Sequence, residues 1–71
     1  MNEQKNYTTD YQGYTLIIWL IDGYGWVGEI RDQGFNIMPD WMNSRGGSAW
    51  VAKVTDDLIA NIDSHLAQVK S

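Results

Sequence analysis

Ser48–Lys70 reads SAWVAKVTDDLIANIDSHLAQVK, and its periodicity sets the architecture expected for the rest of the chain. At about 100° per residue, Val51, Val54, Leu58, Ile62, Leu66 and Val69 fall within roughly 60° of one another, with Ile59 just outside. The opposite side carries Ala49, Lys53, Asp56, Asp57, Ala60 and Ala67, which water can cover. The pattern predicts one half-buried helix over 48–70. Its start signal is Gly46-Gly47-Ser48, a flexible pair followed by a hydroxyl able to accept free N–H groups. A rival start lies at Thr55-Asp56-Asp57, where Thr55 would cap and two carboxylates would meet the positive helix end. Ala49–Val54 would then be a strand. The single helix is preferred because Val51 and Val54 are already in phase with the later stripe.

Everything before the helix reads as sheet. Strand one is expected over 14–21, a glycine-bearing turn at Asp22-Gly23-Tyr24-Gly25, and strand two over 26–32. Gln33-Gly34 reads as a second turn, and 35–38 as a short third strand ended by Pro39. Asp40–Gly47 is expected to be a loop, Tyr7–Tyr14 to extend strand one or lie along it, and Met1–Asn6 to be frayed. The expected fold class is α+β: a three-stranded antiparallel meander with one long C-terminal helix packed on one face, forming a single small domain over 1–71.

A four-residue first turn would set Ile21 opposite Trp26, Trp19 opposite Gly28 and Ile17 opposite Ile30. Alternation then gathers Ile17, Trp19, Ile21, Trp26, Ile30, Phe35 and Ile37 beneath the helix. The other face receives Leu16, Ile18, Leu20, Val27 and Met38 beside Glu29, Arg31 and Asn36. One helix cannot cover both sides of a sheet, and a solvated sheet face is ordinarily polar. An apolar face left open marks an interaction surface. Three readings stay open: Tyr7, Tyr11, Trp41 or Met42 folds back over it, a second copy covers it, or a different protein does.

With 71 residues, four Trp, four Tyr, one Phe and no Cys, the chain has little core to spare and no disulfide or thiolate chemistry. The longest apolar run, Leu16–Ile21, falls far short of the roughly 20 residues of a membrane span. No signal peptide is read at the start, and a cytoplasmic location is expected. A net charge of −4 argues against phosphate backbones as partners and favours a basic protein surface.

No motif points to a reaction or a cofactor. Gly23–Gly28 spells G-x-G-x-x-G, but the dinucleotide fingerprint needs a helix to begin inside it, and here a strand continues. Asp63-Ser64-His65 holds the residue types of a hydrolase triad, yet helix neighbours diverge by about 100° and cannot form a relay. His65 is expected at the border of the apolar stripe. A lone His without Cys makes no metal site. Asp22, Asp32 and Asp40 are expected to bond local backbone in turns. Asp56 and Asp57 read as solvated helix face, or as anionic contacts to a basic partner. Trp41-Met42 reads as a core lid, or Trp41 as a projecting contact. The candidate partner-binding residues are therefore Leu16, Ile18, Leu20, Val27, Glu29, Arg31, Met38, Trp41, Asp56 and Asp57.

The order of strand, glycine-rich hairpin, Trp26-Val27-Gly28-Glu29-Ile30 strand, third strand and helix resembles the N-terminal domain of HicB-type antitoxins. The residues concerned are Tyr14–Ile37 and Ala49–Leu66. The family's proline-glycine turn and following G-D-T segment have no counterpart at Asp32-Gln33-Gly34. The resemblance implies a small sheet-plus-helix protein that binds another protein. The expected function is accordingly a non-enzymatic protein-binding regulator or inhibitor, antitoxin-like or anti-defence in kind. The alternative is a structural homodimer or a subunit of a larger assembly.

Overall fold

The computed structural model describes residues 6–70. The frayed start expected at Met1–Asn6 lies, as far as residue 5, outside the described residues; Asn6 itself opens a strand. An antiparallel sheet of four strands runs in the order β1 (Asn6–Tyr11), β2 (Tyr14–Ile21), β3 (Gly25–Arg31) and β4 (Ser44–Ser48), followed by one helix, α1 (Val51–Lys70). The class is the α+β expected, with four strands in place of three.

The helix carries its stripe as the periodicity predicts. Val54, Leu58 and Ile62 are fully buried, and Val51, Ile59 and Leu66 flank them against the same core. Each such side chain contributes about 1.5–3 kcal/mol of transfer free energy, so this stripe is what anchors α1 to the sheet. The helix begins at Val51, three residues later than expected. Ser48 Oγ accepts from Trp50 N–H at 3.1 Å, which turns the chain into the helix. The rival start does not apply. Thr55 already lies inside the helix and its hydroxyl donates to Val51 O.

Two further strands join the sheet: β1 lies along β2, one of the two courses open to Tyr7–Tyr14, and β4 forms where a loop was expected. Tyr11-Gln12-Gly13-Tyr14 is a two-residue hairpin with both central residues at positive φ (53° and 84°), which pairs β1 with β2 over six residues in unbroken register. Ser44–Ser48 takes the far side of β3 where 35–38 was expected. That expected strand is reduced to a single bridge, Ile37 to Arg31, with Phe35 exposed at φ 62°. The reason is Asp32. Its Oδ1 accepts from the amides of Gly34 and Asn36, each at 2.9 Å, and folds 32–36 into a closed turn instead of a ladder.

The largest correction concerns which side of β2 meets the helix. The first turn has three residues, not four: Tyr24 N–H donates to Ile21 O at 2.9 Å, and Ile21 pairs with Gly25. Every β2–β3 pair therefore shifts by one. Leu16 lies opposite Ile30, Ile18 opposite Gly28, Leu20 opposite Trp26, and Trp19 opposite Val27. Since a one-residue slip turns a strand over, β2 presents Leu16, Ile18 and Leu20 to the helix and Ile17, Trp19 and Ile21 to the other side. β3 keeps the expected orientation, with Trp26, Gly28 and Ile30 inward.

Gly28 is what lets α1 lie so close. A Cβ there would stand 2.7 Å from Leu58 Cδ1 and 2.8 Å from Val54 Cγ1. The bare backbone opposite Ile18 is thus overlaid by helix side chains, where a Trp19 indole was expected. Met42 completes the core from below. A 3-10 turn at Asp40–Met42 buries it fully, and Asn61 Nδ2 donates to Met42 O at 2.8 Å to tie the turn to the helix.

Candidate protein interface

The face of the sheet turned away from α1 is laid out by the ladder registers in four rows. Asp10, Thr15 and Arg31 form the first, Thr8, Ile17 and Glu29 the second, Asn6, Trp19 and Val27 the third, and Ile21 with Gly25 the last. Polarity falls steadily along the strands. The end beside the Gln12-Gly13 turn is charged and hydroxylated, while the end beside the Asp22–Tyr24 turn is apolar.

At the polar end Arg31 Nη2 donates to Glu29 Oε2 at 2.7 Å and Nε at 3.2 Å, so the two charges two residues apart on one strand neutralise each other. The guanidinium also lies 5.4 Å from the centre of the Phe35 ring. Thr15 Oγ1 donates to Asp10 Oδ1. Beyond them a shallow cleft of about 230 Å³ runs between this pair and the Arg45–Asp40 ion pair, bordered by Ile37, which is 77% exposed. All four charges in the cleft are matched, so it offers no net field to a charged ligand.

The apolar end is different. Ile17 and Trp19 are partly exposed and Ile21 is 41% exposed. Val27 is only 3% exposed, yet it stands apart from the core cluster, with Trp19 its direct neighbour across the ladder. Ile17, Trp19, Ile21 and Val27 form an apolar stretch of β2 and β3 on this face. Among the described residues, the helix and the 3-10 turn both lie on the opposite side of the sheet.

The residues expected to form the interface are scattered. Leu16 and Ile18 are buried in the core beneath α1, and Leu20, paired with Trp26, lies on that side too. Val27, Glu29 and Arg31 do lie on the open face. Met38 packs against the core. Trp41, 50% exposed, sits on the helix side with its ring 6.5 Å from that of His65. Asp56 is on the exposed helix surface, and Asp57 accepts from Lys53 Nζ at 2.9 Å, which raises the Lys53 pKa.

Sequence reasoning missed Ile17, Trp19 and Ile21, and the length of the first turn is the signal that would have found them. The residues considered as covers for Leu16, Ile18 and Leu20 do lie on their side: Met42 shares the buried cluster with Leu16 and Ile18, Tyr11 packs against it, and none of this covers Ile17, Trp19 and Ile21. Tyr7 and Tyr11 share a side with Ile18, Tyr7 ringing against Trp26 at 5.5 Å and Tyr11 donating to Asp63 Oδ1 at 2.8 Å. That bond to Asp63 holds the Tyr11 hydroxyl above its ordinary pKa.

Asp63-Ser64-His65 is dispersed by these partners: Asp63 is engaged by Tyr11, and the His65 ring meets the edge of Tyr14 at 6.1 Å. His65 thus packs at the border of the stripe. Gly23–Gly28 runs from the hairpin turn into β3. Among the described residues, no group of three or more His, Cys, Asp or Glu side chains is placed to hold a metal ion, and no helix is long and apolar enough to cross a membrane. No protein family, curated protein or solved structure matches the chain.

Proposed function

We propose that this protein is a non-enzymatic binding module that docks on another protein through the sheet face opposite α1, with Ile17, Trp19 and Ile21, beside the buried Val27, as the contact core and Glu29 and Arg31 at its rim. The observation that carries the reading is the apolar stretch on a sheet face that, among the described residues, lies opposite the helix. Exposed apolar patches of this kind, graded into a polar border, are the usual anatomy of a protein contact. A solvated sheet face needs no Trp opposite a buried Val. An aromatic anchor at Trp19 is also the residue type that contributes most per position in such contacts.

A net charge of −4 favours a partner with a basic surface, because attraction speeds encounter without demanding buried ion pairs. Small size and acidity suit a regulator or inhibitor that occludes a basic site on its target. The resemblance to HicB-type antitoxins points in the same direction, and an anti-defence inhibitor would be built to the same plan.

The test is a pair of variants, Ile17→Lys and Trp19→Lys, in cross-linking and affinity capture from the native host. Lysine keeps a hydrocarbon stem over the neighbouring residues while placing a charge in the middle of the face. Both variants should retain the circular dichroism and cooperative melting of the wild type and lose whatever the wild type captures. Capture that survives both substitutions would refute the assignment of the face.

A further inference from the structure

The two edges of the sheet are built differently, and the difference bears on self-association. β4 is a blunted edge: its ladder with β3 is irregular between the Trp26 and Gly28 pairs, and it carries Arg45, Gly46 and Gly47 in five residues. Such bulges, glycines and edge charges are the devices that keep sheet edges from pairing with other chains. β1, NYTTDY, has neither the bulge nor the glycines, and its one charge, Asp10, lies near the turn end of the strand. It contains no Pro, no Lys, no Gly and no bulge, it runs straight for six residues, and all but Tyr11 are exposed. Thr and Tyr are among the residues most at ease in a strand.

The hairpin fixes which backbone groups β1 turns outward. In a two-residue turn the closing pair, Tyr11 and Tyr14, exchanges hydrogen bonds, and bonded pairs then alternate along the ladder. Tyr11, Thr9 and Tyr7 therefore bond to β2, while the N–H and C=O of Thr8 and Asp10 point away from it. These are the groups that a further strand would meet.

We propose that this edge pairs with β1 of a second copy, antiparallel, with Thr8 opposite Thr8 on a two-fold axis perpendicular to the sheet. That register aligns the outward N–H and C=O of Thr8 in the two copies. The side chains then match as well: threonine faces threonine, a favourable cross-strand neighbour. Sliding by two residues toward the turn sets Thr8 against Asp10 and, on the next step, Asp10 against Asp10, which like charge disfavours. The axis also puts both helices on one side of an eight-stranded sheet and both open faces on the other. The pairing uses the edge and not the open face, so it stands or falls separately from the binding role above.

The test is sedimentation equilibrium of the full chain up to millimolar concentration, with amide hydrogen exchange at high and low concentration. The expected mass is twice 8.1 kDa, and the Thr8 and Asp10 amides should be protected at high concentration and lose that protection on dilution. Thr8→Pro removes an outward N–H without touching the β1–β2 ladder, so it should leave melting unchanged and return the mass to 8.1 kDa. Thr8→Lys, which sets like charges against each other on the axis, should do the same. A wild-type chain that stays monomeric overturns the proposal. So does a dimer that survives both substitutions, and a dimer dissolved by Trp19→Lys but by neither of them would pair through the open face instead.

Discussion

Gly28→Ala is the perturbation that separates this arrangement of the two sheet faces from its inverse. The new Cβ would lie 2.7 Å from Leu58 Cδ1, 2.8 Å from Val54 Cγ1 and 3.3 Å from Ile18 Cγ1. Carbon atoms rest at about 3.5–4.0 Å, so two fully buried helix side chains would have to retreat by roughly 1 Å. Both belong to α1, and the helix must shift bodily or leave its rotamers.

Overpacking of this size costs about 1–3 kcal/mol. Removing a glycine from a strand interior returns about 0.5–1 kcal/mol. The net expectation is a loss of about 1 kcal/mol, a large share of the 3–5 kcal/mol that a chain of this size has to lose. In thermal denaturation that is a fall of about 4–8 °C; in urea it is a lower midpoint with an unchanged slope.

Val54→Ala removes the methyl that the new Cβ strikes, so the double variant should lose less than the sum of the two single changes. An unchanged or higher midpoint for Gly28→Ala would mean that Gly28 faces water. Leu16 and Ile18 would then face water with it, and the face assigned to partner binding would be the wrong one.

Two further outcomes test local features of the fold. The Asp32 carboxylate is held below its ordinary pKa, first by the Asn36 amide and then by the Asn36 side chain and the Gly34 amide. A depressed folded value means stability that is present above the unfolded pKa and lost as pH falls through the folded one. Urea midpoints of the wild type should therefore fall more steeply below about pH 4 than those of Asp32→Asn, and parallel profiles would refute the role of the turn. Asn43 Oδ1 accepts from Ile30 N–H at 3.2 Å, next to where the β3–β4 ladder becomes irregular. Asn43→Ala leaves that donor unpaired beside a buried residue, at a cost of about 1–3 kcal/mol. Amide exchange at Ile30 should accelerate accordingly, and an unchanged rate would show that another acceptor serves it.

The helix, the inward orientation of β3 and the Asp32 turn were legible in the residues, because each rests on a local rule. The stripe Val54, Leu58, Ile62 has a period that only a helix satisfies. Strand β3 alternates Trp26, Gly28, Ile30 against Val27, Glu29, Arg31, so its polar side declares itself. An aspartate followed by a glycine-bearing tetrad captures its own backbone without help from elsewhere in the chain.

Strand β2 offers no such declaration. Leu16 to Ile21 are apolar at every position, so alternation carries no information about which side is inward. The choice passed to the hairpin, where Asp22-Gly23-Tyr24 closes on Ile21 and shifts the ladder by one residue. A three-residue and a four-residue turn read almost alike in sequence and put opposite faces of β2 on the core. Ser44-Arg45-Gly46-Gly47-Ser48 has no apolar pattern at all; it is a strand because β3 had an edge to fill and Asp32 had folded the nearer candidate away. Local chemistry thus determined which elements would form. Only the closure of the chain on itself decided their register, and with it which residues were left to meet a partner.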